Sequence, residues 1–432
     1  MTSSSKFLMP EGFVWGVGGA AWQEEGIKPG VGGLWTDAIF TDRFRSKMEG
    51  AENVPGGDPE LKKLGCRGEI LYPSDYKLIA GLGLTMRRIS IAREKIEPER
   101  GRYDYEELDR LKDMVDTGLH CGVATRLTLD HWEHAPGCEW NRDDAPDLFG
   151  NVTEAVMKKL GTSVKYVDPL NEPTVISIFG YGAGIWPPFI ADRARMMKVL
   201  RNRIEAHCIA YDIIKRYNPL AEVGIAHAVG WWTGTPPTDP AEKEDRYVWG
   251  RFVTDELVKR GKLDNVGLNN YHHNEVGKLG WAGHDACTDH PVVSDFNWGM
   301  CTSAPAGVAR EYWKAYKLPI WMTEVGHADH HIVDHRRSWH LFHYVRELAQ
   351  AAADGVDLRG NITWSFMDNT EWMRLYTQKF GIFAVNMNDP RRPRKLRASG
   401  RLLSAIANAN GATEEVGERF RDLVCHPHLH SV

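Results

Sequence analysis

Long apolar runs are missing from this chain of 432 residues. No segment comes near the roughly 20 consecutive apolar residues that a membrane-spanning helix needs. The first residues, MTSSSKFLMPEGFVWG, also lack the apolar stretch of a secretory signal peptide. Basic clusters are missing as well, and the net charge is -5. These absences predict a cytoplasmic protein that has neither a nucleic acid nor a membrane as its partner.

Two sequence motifs are also absent. The seven cysteines are odd in number and scattered, and no C-x-x-C occurs, so we expect reduced thiols and no disulfide framework. No G-x-G-x-x-G follows the first predicted strand. A doubly wound open sheet, which is the alternative α/β architecture for this length, usually carries that phosphate-binding motif. Its absence argues against a dinucleotide-binding fold.

The chain does contain a repeated pattern of secondary structure. Short apolar or β-branched runs recur, and longer segments of helical period lie between them. Eight such runs begin at Phe13, Leu84, Cys121, Tyr166, Glu222, Asn265, Pro319 and Asn361. Helices are predicted at 105–118, 192–218 and 334–355. This alternation predicts an α/β fold, a single (β/α)8 TIM barrel spanning 1–432, with a core of about 13–410 and a C-terminal tail at 411–432.

Two stretches interrupt the alternation. Residues 26–74 are rich in glycine and proline, and residues 272–307 form the second irregular stretch. Both follow predicted strands, so in a barrel they are expected as loop insertions on the face that carries the active site.

Charged side chains stand where two of the strands end. Glu172 ends the fourth run and Glu324 ends the seventh. Barrel enzymes keep their catalytic groups at the carboxyl ends of the strands. Two carboxyl groups facing each other can cleave a glycosidic bond, since one donates a proton and the other attacks the sugar or activates water. Taken alone, a glutamate in the position of Glu172 is more often a helix cap or a partner in an ion pair than a catalytic group.

Seven sequence stretches then indicate a family. LNEP at 170–173 and MTEVG at 322–326 resemble the two signatures of glycoside hydrolase family 1, the β-glucosidase and β-galactosidase family. Five further stretches resemble other parts of the family: FVWGVGGAAWQEEG, RRISIAREKIEPERG, TLDHWEHAP, GLNNYHH, and WSFMDNTEW with KFGIFAVN. All seven occur in family order between residue 13 and about residue 405. The resemblance implies a retaining exo-β-glycosidase, foremost a β-glucosidase, which needs neither cofactor nor metal and acts on a small-molecule or oligosaccharide β-glycoside.

The resemblance also assigns roles to residues. It implies that Glu172 is the acid/base and Glu324 the nucleophile, which Arg88 and Tyr271 keep ionised and oriented. Asn171 would donate to the sugar 2-hydroxyl. The remaining matches imply a substrate-binding set of Gln23, His131, Trp132, Asn269, Trp364, Glu371, Trp372 and Phe380. Because Glu371 would face the sugar 4- and 6-hydroxyls and repel a phosphate, the expected substrate is an unphosphorylated O-β-glycoside.

The sequence departs from the family pattern beside several of these motifs. The departures are Glu24, Arg93, Asp168-Pro169, Asn270 and Val325. Two alternatives therefore stay open: a transglycosidase that uses the same two glutamates, and a non-catalytic sugar-binding derivative of the fold. The cluster HADHHIVDH at 327–335 invites a metal, but it contains no H-E-x-x-H, and we expect no metal there. The sequence leaves the oligomeric state open, and a homo-oligomer is one of the possibilities.

Overall fold

The computed structural model describes residues 7–48, 54–233, 238–275 and 292–427. Nine of the described strands form one sheet. They are β1 (Val14–Gly18), β2 (Met86–Ser90), β3 (Ala124–Asp130), β4 (Tyr166–Leu170), β5 (Glu222–Val223), β6 (Ala226–Thr233), β7 (Val266–Glu275), β8 (Ile320–Val325) and β9 (Leu358–Thr363). A separate hairpin pairs β10 (Phe383–Val385) with β11 (Arg394–Leu396). Each of the eight predicted strands is present.

The main sheet is parallel and closes on itself. Its order is β5-β4-β3-β2-β1-β9-β8-β7-β6. Strands β5 and β6 are two halves of one barrel strand, which is interrupted at residues 224 and 225. β4 pairs with β5, and a bridge between Asn171 and Ala226 joins the end of β4 to β6. The ring of eight barrel strands is thereby complete, and the predicted (β/α)8 barrel is confirmed.

The helices lie between the strands and after them. The described α-helices are Ala21–Glu24, Leu34–Ala38, Asp42–Arg45, Leu61–Leu64, Gly68–Gly81, Arg93–Ile96, Tyr105–His120, Ala145–Leu160, Pro173–Ile176, Arg193–Tyr217, Pro240–Gly250, Phe252–Lys259, Ala304–Tyr316, His335–Ala353, Ala398–Ala409, Glu414–Arg419 and Arg421–Cys425. A π-helix covers Ser177–Gly182, and 3-10 turns cover Gly161–Ser163 and Trp372–Arg374. The three helices predicted from periodicity are all found. The first continues past Gly118 to His120, because the left-handed residue that follows its end is Gly122.

The two predicted loops are only partly loops. Within 26–74, the helix Gly68–Gly81 begins six residues before the expected loop end. Its Asp75, Tyr76 and Ile79 are buried, so tertiary packing holds a helix that the glycine and proline content disfavours. In the second stretch β7 runs on to Glu275, residues 276–291 lie outside the described part, and a helix starts at Ala304.

The segment after residue 410 packs against the barrel. Val416 and Val424 are buried, and the His343 ring contacts the carbonyl of Val424 at 3.0 Å. The stretch expected as a tail is therefore folded as far as residue 427, and residues 428–432 lie outside the described part. The assignment of the whole chain to one domain stays a prediction. Among the described helices, none is both long and apolar enough to cross a bilayer.

Candidate active site

Glu324 lies near the end of β8, in the mouth of the barrel, and is almost wholly buried. Two side chains bind its carboxyl group. Arg88 donates from Nη1 to Oε1, and the Tyr271 hydroxyl donates to Oε2 at 2.6 Å. Burial raises the pKa of Glu324 overall, although the positive charge of Arg88 and the hydroxyl of Tyr271 oppose this effect. These two partners stabilise the ionised form of this carboxyl.

Glu172 stands two residues after the end of β4, with a left-handed backbone (φ +42°). It occupies the N-cap position of the helix Pro173–Ile176, yet its side chain caps no backbone N–H there. Instead, its Oε1 accepts a hydrogen bond from Asn269 Nδ2 at 2.9 Å. The helix-cap alternative is therefore excluded. A left-handed glutamate costs roughly 1–3 kcal/mol, and such strain is typical of functional positions.

The two carboxyl groups differ in their electrostatic surroundings. Burial and the negative charge of Glu324 raise the pKa of Glu172 to about 8, and the amide of Asn269 opposes them only in part. No cation binds Glu172 directly among the described residues. At neutral pH, Glu172 therefore holds a proton while Glu324, bound to Arg88, is the better site for the negative charge.

Asn171 and Asn269 connect the two carboxyl groups. Asn171 Oδ1 accepts from Arg88 Nη2 at 2.7 Å and from Asn269 Nδ2 at 3.1 Å. Asn171 Nδ2 lies 3.1 Å from His131 Nε2, and the indole N–H of Trp132 donates to the Asn171 carbonyl at 2.9 Å. Because its oxygen is already occupied, Asn171 presents only its amide N–H groups to a ligand.

Within the predicted substrate-binding set, three buried polar atoms have no hydrogen-bond partner among the described residues: Gln23 Oε1, His131 Nδ1 and Glu371 Oε2. Gln23 is anchored by its Nε2, which donates to the Thr370 carbonyl at 2.9 Å. Burial and Arg88 hold the pKa of His131 well below its usual range, so its ring is neutral. Burial and Glu324 raise the pKa of Glu371 to about 8. Buried polar atoms are rarely left unpaired, so this set suits a ligand rich in hydroxyl groups.

Aromatic rings complete the site. Trp364 and Phe380 are buried together and pack against Tyr271. The His131 ring stacks 6.0 Å from Trp364, and Trp372 lies 4.4 Å from Trp132 by ring centroids. All thirteen residues named from the sequence are therefore brought to one end of the barrel.

Two further aromatic residues belong to the mouth and were not named from the sequence. Phe296 and Trp298 stack at 4.2 Å, and Trp298 lies 5.9 Å from Tyr271 and 6.2 Å from Phe380. The sequence feature that could have identified them is the segment DFNWG, which places two large aromatic residues in a loop expected on the catalytic face.

The histidine cluster also folds together. Ligand atoms of Asp329, His330 and His331 lie within 4.8 Å of one another. Arg336 Nη2, however, binds Asp329 at 3.1 Å and Asp295 at 2.6 Å. This guanidinium offsets the carboxylate charge that a metal ion would otherwise use.

Comparisons with known proteins agree with this geometry. The profile described as Glycosyl hydrolase family 1 matches residues 5–279 and 256–412. The chain belongs to glycosyl hydrolase family 1. The predicted family and the class of glycoside hydrolase are thereby confirmed, while the roles of individual residues remain predictions.

Relatives of this family 1 glycosidase differ in length and in name. Beta-glucosidase A of Acetivibrio thermocellus is 26% identical over 463 residues, covering 94% of this chain and 100% of the relative. Human lactase/phlorizin hydrolase is 26% identical over 476 residues, covering 93% of this chain but only 24% of that protein. Aryl-phospho-beta-D-glucosidase BglC of Bacillus subtilis is 24% identical over 461 residues, covering 88% of this chain and 92% of the relative.

A solved structure shares the fold. The family 1 β-glucosidase from Thermotoga maritima superimposes with a TM-score of 0.81 at 24% identity, and 94% of this chain and 99% of that chain are covered. The same protein has been solved in complex with deoxynojirimycin. The likeness supports the barrel assignment.

Proposed function

We propose that this family 1 glycosidase is a retaining exo-β-glycosidase, foremost a β-glucosidase, and that it hydrolyses unphosphorylated O-β-glycosides. The observation that carries the proposal is the asymmetry of the two carboxyl groups. Glu324 is bound by a guanidinium and a phenol, whereas Glu172 has, among the described residues, only an amide donor and a pKa raised to about 8. One group is suited to attack and the other to protonate.

The first step cleaves the glycosidic bond. A carboxylate oxygen of Glu324 attacks the anomeric carbon, and the bond from that carbon to the leaving oxygen breaks. The leaving oxygen takes the proton of Glu172, so an alcohol departs and a glycosyl ester of Glu324 remains. Asn171, hydrogen-bonded to Arg88, is placed to donate its amide N–H to the sugar 2-hydroxyl.

The second step releases the sugar. Glu172, now ionised, takes a proton from water, whose oxygen attacks the anomeric carbon and displaces the Glu324 carboxylate. Esterification has removed the negative charge of Glu324, which is the largest contribution to the raised pKa of Glu172 after burial. The pKa of Glu172 therefore falls in the intermediate, and a water proton passes to it again only as the charge on Glu324 returns.

The preference for an unphosphorylated sugar follows from charge. Glu371 lies close enough to Glu324 and Glu172 for their charges to interact. Because Glu371 and Glu172 are mostly protonated at neutral pH, a phosphate dianion bound beside Glu371 would be repelled chiefly by the ionised Glu324, and it would also oppose ionisation of the other two carboxyls. One relative carries a phospho-glucosidase name, so family membership alone leaves this point open.

A transglycosidase that uses the same residues is the second candidate. The observation in its favour is the aromatic group at the mouth, because Phe296 and Trp298 offer an apolar surface to an acceptor alcohol. A non-catalytic derivative is disfavoured, since both glutamates keep the partners that catalysis needs.

The test is a proton NMR time course of p-nitrophenyl β-D-glucopyranoside with the purified protein in water containing methanol. We expect the β-anomer of glucose to appear first, followed by mutarotation. The share of methyl β-glucoside measures transfer against hydrolysis. Release of the α-anomer first would refute the retaining mechanism. No release of sugar from the p-nitrophenyl glucoside, galactoside or fucoside would favour the non-catalytic derivative.

A further inference from the structure

A line of alternating charges runs from the nucleophile into the barrel interior. It consists of Glu324, Arg88, Asp168 and Arg126, which we call the charge column. Glu324 binds Arg88, the Nε of Arg88 lies 3.7 Å from Asp168 Oδ2, and Asp168 binds Arg126. Arg88, Asp168 and Arg126 are fully buried. The layers of a barrel interior are usually apolar, so a buried ion pair beneath the site needs an explanation.

The lower half of the charge column is tightly fixed. Arg126 donates to Asp168 in a fork, from Nε at 2.7 Å and from Nη2 at 2.6 Å. Nη2 also donates to Asn265 Oδ1 at 2.9 Å, and the guanidinium lies 4.9 Å from the Trp321 ring centroid. With these contacts Asp168 has a single orientation, in which one carboxylate edge points towards Arg88.

The break in the fifth barrel strand makes room for this pair. A Cβ added at Gly224 would lie 2.7 Å from Arg126 Nη2 and 2.9 Å from Asp168 Oδ1, and it would also collide with Asn265 Oδ1. Only glycine leaves this space free. The irregularity between β5 and β6 and the departure of Asp168 from the family pattern are therefore parts of one arrangement.

We propose that Asp168, held by Arg126, is a positioning residue that fixes Arg88 beneath Glu324 and limits the positive charge that Arg88 presents to it. Asp168 does not touch the sugar; it acts through Arg88, whose Nη1 binds the nucleophile and whose Nη2 binds Asn171. Asp168 thereby keeps both contacts of Arg88 in place: the hydrogen bond to Glu324 and the hydrogen bond to Asn171, which would donate to the sugar 2-hydroxyl. This inference rests on the proposed glycosidase activity.

The charge effect has a definite sign. The groups that face Glu324 are Arg88 from β2, Tyr271 from β7, Glu172 after β4 and Glu371 after β9. Asp168 adds a negative charge behind Arg88. Removing that charge leaves Arg126 without its carboxylate partner and leaves Glu324 as the carboxylate that faces Arg88, which lowers the pKa of Glu324 and makes it a weaker nucleophile.

The test compares Asp168→Asn with Asp75→Asn. Asp75 is as buried as Asp168 and forms a forked pair with the partly buried Arg394, with both contacts at 3.0 Å, and no contact with Arg88 is found among the described residues. In Asp168→Asn we expect kcat to fall about tenfold or more, since small misplacements of catalytic groups have such effects. KM stays unchanged because the sugar-binding set is intact. The apparent pKa of the acid limb in the pH profile of kcat/KM decreases by about one unit.

In Asp75→Asn we expect the wild-type acid limb and kcat, whatever the loss of stability. Identical pH profiles for the two variants would overturn the proposal, because Asp168 would then act as a structural ion pair only. If Asp168→Asn does not fold, Gly224→Ala displaces the pair without changing its charge. A folded Gly224→Ala with reduced kcat and unchanged KM supports the proposal, and wild-type kcat overturns it.

A readout without turnover separates this inference from the proposed function. If the wild-type protein cleaves no glycoside, the glycosidase proposal fails by itself. Carbon-13 NMR titration of the Glu324 carboxyl in the wild type and in Asp168→Asn then decides the inference. A lower pKa of Glu324 in the variant supports the charge column, and an unchanged pKa refutes it.

Discussion

The pKa of Glu172 should depend on the charge of Glu324, and Coulomb's law gives the magnitude of the effect. Two unit charges about 5.5 Å apart, the spacing of retaining glycosidases, interact by about 3 kcal/mol at an effective dielectric constant of about 20. That energy corresponds to about two pH units. Glu324→Gln removes the charge, so the pKa of Glu172 should fall from about 8 to about 6.

The assay is a carbon-13 NMR titration of protein labelled at the glutamate carboxyl carbon, with Glu172→Gln used to assign the resonance. Glu371→Gln is the matched control. Glu371 also raises the pKa of Glu172, but it is the smallest of the causes, so its removal should produce a smaller fall. The reasoning would be refuted if Glu172 kept a pKa near 8 in Glu324→Gln. An equal fall in both variants would also refute the reasoning, because the pKa of Glu172 would then not depend on the charge of Glu324 in particular.

Four further outcomes are expected. Glu324→Ala should abolish hydrolysis of aryl β-glucosides, and azide or formate should restore release with an α-configured product visible by NMR; near-normal turnover without them would exclude Glu324 as nucleophile. Glu172→Ala should slow substrates with poor leaving groups far more than p-nitrophenyl or dinitrophenyl glycosides, and equal losses across a leaving-group series would contradict its acid role. The free energy of unfolding should decrease as pH rises from about 6.5 to about 8, because the native pKa values of Glu24 (about 7), Glu133 (about 8) and Glu371 (about 8) exceed those of the unfolded chain, while the buried histidines with lowered pKa values act in the opposite direction only below about 6.5; urea unfolding at several pH values measures this, and a flat profile above about 6.5 would show that these groups are not raised. Dialysis against EDTA should leave kcat unchanged, and loss of activity that zinc restores would reveal a metal requirement that we do not expect.

Much of the site was predictable because it follows strand ends. A parallel barrel brings the carboxyl ends of all its strands to one rim, so Glu172 after β4 and Glu324 at the end of β8 had to meet once the barrel was recognised. The short motifs around them fixed which residues stand at those ends. The helix ends were less predictable: glycine at 118 signalled a stop, but the helix continued to His120, since the glycine with the left-handed backbone that follows the helix is Gly122.

The sequence by itself determined the alternation of strands and helices and the residue types at each strand end, since both depend on local periodicity and short motifs. Only the tertiary structure decided which groups become partners. Arg88, Asp168 and Arg126 lie on three strands, and Gly224 lies in the break between β5 and β6, far along the chain. Their contact depends on the register of neighbouring strands and on a missing Cβ, and no local pattern encodes either. The proton on Glu172 has the same origin, because burial and a charge brought from β8 raise its pKa.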